Sequence, residues 1–136
     1  MEKKSYPMFY GGVKQHFPAA VVAGGFVFLG DISGREFETG KVKAMDVKVQ
    51  TETAWTKIKS FLEEVGTSLD NIVRLEILLP KIKDYDTYIK TTHEFWAREC
   101  PNLLANRPVQ CLMEANLYLE EMLVAIDVIA VMPTCH

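Results

Sequence analysis

A chain of 136 residues suffices for one domain that buries roughly two thirds of its unfolded surface and is too short for two, and 49% hydrophobic with 24% charged residues is a globular mixture. The net charge of -3, from 15 basic and 18 acidic side chains dispersed along the chain, supplies no general attraction for a phosphate backbone, so nucleic acid is not an expected partner. No run of eighteen apolar residues predicts a membrane span and the opening MEKKSYPMFY lacks the apolar stretch of a secretion signal, so no membrane partner and a cytoplasmic location are expected.

In chain order, AAVVAGGFVFLGDIS is apolar and β-branched and is interrupted by Gly24 and Gly25, which predicts a hairpin of two short strands; a further strand is allowed at PMFYGGV. GREFETGKVKAMD reads as a polar loop. Asp46 then stands at an N-cap position, Ala54, Trp55, Ile58, Phe61, Leu62 and Val65 recur at helical spacing, and Gly66 closes the segment, so one amphipathic helix is expected over Val47 to Val65. Ile72 to Leu79 reads as a strand ended by Pro80. A second helix is expected from Tyr85 to about Ala97, with Tyr88, Thr92, Phe95 and Trp96 on one face. Two last strands, Val109 to Ala115 and Met122 to Met132, surround the turn-like NLYLEE.

The order β-β-α-β-α-β-β predicts a single α+β domain over residues 1–136, a mixed sheet with two helices packed on one face. MLVAIDVIAVM is apolar at nearly every position, so both faces of the last strand are expected to be buried, and one helix layer covers only one of them. Self-association is the simplest cover for the other. Cys100, Cys111 and Cys135 are an odd set at wide spacings without CxxC, and His16, His93 and His136 show no metal-ligand spacing, so reduced thiols, no metal and no cofactor are expected.

Several segments together resemble the RidA/YjgF family of enamine/imine deaminases, also labelled ribonuclease L-PSP. The matching stretches are AGGFVFLGDIS, ETGKV, DVKVQTETAWTKIKSFLEEVGTSLDNIVRLEILLPKIKDY, NRPVQC and AIDVIAV, which cover the chain from about Phe17 to Val131. HFPAAVVAGGFVF is similar to the 2-aminomuconate deaminase branch. The resemblance implies a chorismate-mutase-like fold, a homotrimer with sites in clefts between subunits, and Arg107 as the residue that grips the carboxylate of a small substrate. A guanidinium presents parallel donors that match two carboxylate oxygens, as lysine cannot. The alternative for Arg107 is an ion pair with Glu114, Glu120, Glu121 or an acid of a neighbouring subunit.

The chain departs from the family where chemistry is concerned. The family's catalytic glutamate on the closing strand aligns with Ala125, its tyrosine with Phe17, its serine before glycine with Gly30 or Leu29 depending on a one-residue choice, and its helical asparagine with Ile89. Hydrolysis of an imine needs a water aimed at the C=N carbon and a proton delivered to nitrogen. Asp127, two residues beyond Ala125 on the same strand face, and Asp31, after the early strand, are the candidate acids; the alternatives are an interface ion pair or hydrogen-bonded buried acid for Asp127 and a turn cap for Asp31. By alternation Arg107, Val109 and Cys111 share a face, opposite to Glu114, so Cys111 is a candidate lining residue or a small buried side chain. The expected substrate-binding set is thus Arg107, Phe17, Gly30, Ile89, Cys111 and Ala125. Two functions fit: a divergent deaminase acting on a small enamine or imine carboxylate, and a non-catalytic carboxylate-binding trimer that has lost the acid. Ribonuclease activity fits the acidic balance poorly.

Overall fold

Two glycine pairs fold the first third of the chain back on itself. In the computed structural model, which describes residues 2–133, β1 (Lys3–Tyr10) and β2 (Val13–Ala23) are joined through Gly11 and Gly12, and β3 (Phe26–Ser33) follows Gly24 and Gly25. All four glycines have positive φ, between 56° and 82°, the backbone region that suits tight hairpin turns. The strand allowed at PMFYGGV is therefore two strand ends around a turn, and β1 begins earlier, at Lys3.

Helix α1 spans Val47–Val65. The Asp46 carboxylate accepts the Val49 N–H, and Gly66 ends the helix at φ 98° with its N–H returned to the Glu63 and Leu62 carbonyls. Strand β4 (Ile72–Leu79) leads to α2 (Tyr85–Glu99), which runs two residues past the expected end. A five-residue helix that the periodicity does not reveal, α3 (Pro101–Ala105), starts with proline at its first turn, where no N–H is needed. Strands β5 (Val109–Glu114) and β6 (Ala125–Val131) complete the chain. Strand β6 is shorter than the apolar run around it, because 121–123 is tied to α1 instead of to the sheet: Gln50 donates to the Ala44 and Glu121 carbonyls at 2.8 and 2.9 Å and accepts the Leu123 N–H at 2.8 Å.

The sheet order is β1-β2-β3-β6-β4-β5, antiparallel except for the parallel β4–β5 pair. Alternation sends Val27 and Leu29, Leu75, Ile77 and Leu79, and Ile126, Val128 and Ala130 into one core with Trp55, Ile58 and Leu62 of α1 and Tyr88, Phe95 and Trp96 of α2. Burying each large apolar side chain contributes about 1.5–3 kcal/mol. The Trp55 indole N–H donates to Thr92 Oγ1 at 3.0 Å, which keys the two helices together. The opposite sheet face is different: Phe26, Phe28, Val109 and Met113 are all more than two fifths exposed. No helix among the described residues is long and apolar enough to cross a membrane. Cys135 and His136 lie outside the described residues.

Candidate functional site

Strand β3 pairs with β6 in register on both sides of a bulge between Leu29 and Ile32. Inside that bulge Asp31 adopts φ 57°, a left-handed conformation uncommon for any residue but glycine and best tolerated by aspartate and asparagine. The Asp127 carboxylate accepts the Asp31 backbone N–H and so pins the bulge across the ladder. A bulge turns a side chain out of the pleat's alternation. Here it aims Asp31 into a cleft of ≈ 390 Å³ lined by Tyr10, Gln15, His16, Phe17, Ser33, Arg35, Tyr118 and Met122.

Arg35 is the basic group of this cleft. Its Nε donates to the Gly40 carbonyl at 2.7 Å, and its guanidinium carbon lies 4.0 Å from the Tyr10 ring centre and 5.7 Å from that of Tyr118. No carboxylate comes within ion-pair distance of it among the described residues. Burial raises the Asp31 pKa above the ordinary carboxylate value, with Arg35 and then Lys57 pulling it back. Asp127 is also raised by burial, opposed by the Asp31 N–H and reinforced by the charges of Glu76 and Asp31.

The residues singled out from the sequence fall in separate places. Phe17 and Asp31 meet in the cleft. Gly30 and Asp127 lie in a shallower depression of ≈ 250 Å³ with Phe28, Arg74, Glu76 and Ile129. Ala125 is fully buried, paired with Ser33 on one side and Leu78 on the other, and Ile89 is half-buried against the core. Cys111 pairs with Glu76 and is half-buried, whereas Glu114, on the opposite face, accepts the Ile82 N–H at 3.2 Å. Arg107 is exposed just before β5, has no acidic partner among the described residues, and donates from Nε to the Leu104 carbonyl at 3.1 Å. With β6 and β4 between β3 and β5, Asp31 and the start of β5 are three strand spacings apart, roughly 14 Å.

Tyr10, Arg35, Lys57 and Tyr118 are site groups that the motif reading passes over. Lys57 alone had a signal: it stands three residues after Ala54 and four before Phe61, inside the apolar stripe of α1, and it is 3% exposed. Arg35 and Tyr118 lie in segments without periodicity, where only the fold brings them together.

Comparison with known proteins gives a consistent answer. The family model described as Endoribonuclease L-PSP matches residues 12–132. A RutC family protein from Pyrococcus abyssi is 25% identical over 114 residues, covering 84% of each chain. Among solved structures, the Rid-family protein YyfA from Yersinia pestis superposes with a TM-score of 0.81 at 19% identity, over 96% of this chain and 99% of that one. TdcF from E. coli, solved with bound serine, gives 0.80 at 19% identity, over 96% and 100%. With the match running through all three helices and every strand but β1, the chain belongs to the L-PSP family, known also as RidA, RutC or YjgF.

Proposed function

We propose that the protein is a hydrolase of small imine or enamine carboxylates, releasing the oxo acid and ammonia, with each site completed where identical chains meet. The observation that carries this reading is the separation of Arg107 from the cleft: an exposed guanidinium with no acidic partner among the described residues, roughly three strands from Asp31, supports service to a neighbour's cleft instead of its own. In that arrangement Arg107 of one chain clasps the substrate carboxylate with parallel donors, and Asp31 of the adjoining chain accepts a proton from the attacking water. The apolar sheet face with Phe26, Phe28, Val109 and Met113 supplies the surface for such an assembly, a homotrimer as in the family. The serine held by TdcF shares the carboxylate and the nitrogen of the expected ligand.

Imine carboxylates generated in the assay provide the test. Ammonia release above the uncatalysed rate, lowered about a hundredfold by Arg107→Ala and by Asp31→Asn, supports the reading; parent and Arg107→Ala at equal rates would remove it. A second reading, a non-catalytic binder of small carboxylates, is favoured by Ala125, where no acid is present and none fits without displacing packed neighbours. Tight binding of small carboxylates without ammonia release would select it.

A further inference from the structure

Of the three lysines in α1 only Lys57 is buried, and no carboxylate lies within ion-pair distance of it among the described residues. An ammonium has three donors, and three acceptors surround this one: the Arg35 carbonyl at 2.8 Å, the Tyr10 hydroxyl at 3.0 Å and the Ser33 carbonyl at 3.2 Å. The carbonyls belong to the end of β3 and to the segment that follows it, and Ser33, Arg35 and Tyr10 all line the cleft. On its other side Lys57 borders a shallow depression of ≈ 500 Å³ whose wall also holds Glu36, Glu38 and Glu52. The amine therefore stands between solvent and residues of the cleft wall, and the Tyr10 phenol is the titratable group among its three hydrogen-bond partners.

The surrounding charges suit proton traffic. Tyr10 lies beneath the Arg35 guanidinium, Asp31 lines the same cleft, and His16 and Tyr118 complete the titratable lining. Burial pulls the Lys57 pKa down to about 7, Arg35 acting the same way and Asp31 against it, so the amine exchanges its proton near neutrality. Burial raises Tyr10, with Arg35 opposing and Asp31 reinforcing, so its phenol holds a proton there.

We propose that Tyr10 and Lys57 form a proton-transfer pair for the cleft, in which Tyr10 is the catalytic acid toward the substrate nitrogen and Lys57 the positioning residue that reloads it. This rests on the imine-hydrolase reading, and supplies the acid that Ala125 does not. As water attacks the C=N carbon, a C–O bond forms and the π pair moves to nitrogen, which takes the Tyr10 proton. Lys57 hands its own proton to Tyr10, and the water's proton goes to Asp31. In the collapse, the new hydroxyl returns its proton through Tyr10 to Lys57, Asp31 protonates nitrogen, and the C–N bond breaks to give the oxo acid and ammonia. Tyr10, Lys57 and Asp31 all end as they began.

The test is the pH dependence of ammonia release, from about pH 6 to 9, in the full chain. Tyr10→Phe removes one oxygen and keeps the ring under Arg35; it is expected to lower kcat on the order of a hundredfold with KM nearly unchanged, and to abolish the limb near neutrality. Lys57→Met is expected to lose the same limb, and Lys57→Arg, which keeps charge and donors but does not release a proton, to stay as slow as Lys57→Met. Rescue by Lys57→Arg, or a parent-like rate and profile in Tyr10→Phe, overturns the pair while leaving the deaminase reading standing. If Lys57→Met does not fold, Tyr10→Phe decides alone. Parent and Arg107→Ala at equal rates would take down the function proposed above and this pair with it.

Discussion

At the scale of single residues, the cleft is framed by one glutamine and one glycine that do not line it. Gln50 is buried and uses both its amide groups on the backbone, so that α1 holds the segment from which Tyr118 and Met122 reach the cleft. Gln50→Leu leaves two carbonyls and the Leu123 N–H without these partners and is expected to cost on the order of 1–3 kcal/mol, read as a lower denaturation midpoint. Gly34 allows this packing: a Cβ there would come within 2.7 Å of Gln50 Cβ and 3.0 Å of its Cα. Because the backbone of α1 does not give way, Gly34→Ala is expected to destabilise by about 1–3 kcal/mol in thermal melts. Lys57 adds a pH dependence with a definite sign. Its pKa falls from 10.5 unfolded to about 7 folded, so between those values the unfolded chain binds more protons and stability rises with pH; the cost is full below about pH 7. Lys57→Met is expected to flatten that part of the stability profile, measured by denaturation at several pH values. A parent profile flat between neutrality and pH 10 would contradict it.

At the scale of elements, legibility followed periodicity. Helix α1 was readable at both ends because Asp46 and Gly66 satisfy local backbone groups whatever the rest of the fold does. Asp46→Ala is accordingly expected to cost about 1 kcal/mol, seen in thermal melts, through the Val49 N–H alone. Strand β4 was readable from its apolar run and Pro80. Strand β1 was not, since KKSYPMFY alternates weakly on a half-exposed edge strand, and α3 is too short for a hydrophobic period to register. The true start of β6 depended on Gln50, some seventy residues away. The same reasons divide the site. Arg107 is proposed from a motif and Asp31 from its place near a strand end, whereas the orientation of Asp31 depends on a bulge held by Asp127, which no local pattern announces. Tyr10, Arg35 and Tyr118 converge only in three dimensions, whereas Lys57 was visible as a charge on an apolar stripe.

At the scale of the whole molecule, one sheet face is packed by helices and the other carries Phe26, Phe28, Val109 and Met113 in the open. Exposed apolar patches of this kind mark interaction surfaces. Phe28→Glu, on a side chain 42% exposed and outside the core, is expected to leave the far-ultraviolet circular dichroism unchanged while shifting the mass from light scattering toward that of one chain. Scattering that gives one chain for the parent would contradict a shared cleft. The most direct measurement of that sharing mixes two disabled variants, Arg107→Ala and Asp31→Asn, co-refolded in equal amounts and assayed for ammonia release from an imine carboxylate. If Arg107 serves the neighbour's cleft, about a quarter of the sites in random mixed oligomers hold both intact groups, and activity returns to that fraction of the parent. If the mixture stays as inactive as its two components, the two groups do not meet across an interface and the account is wrong.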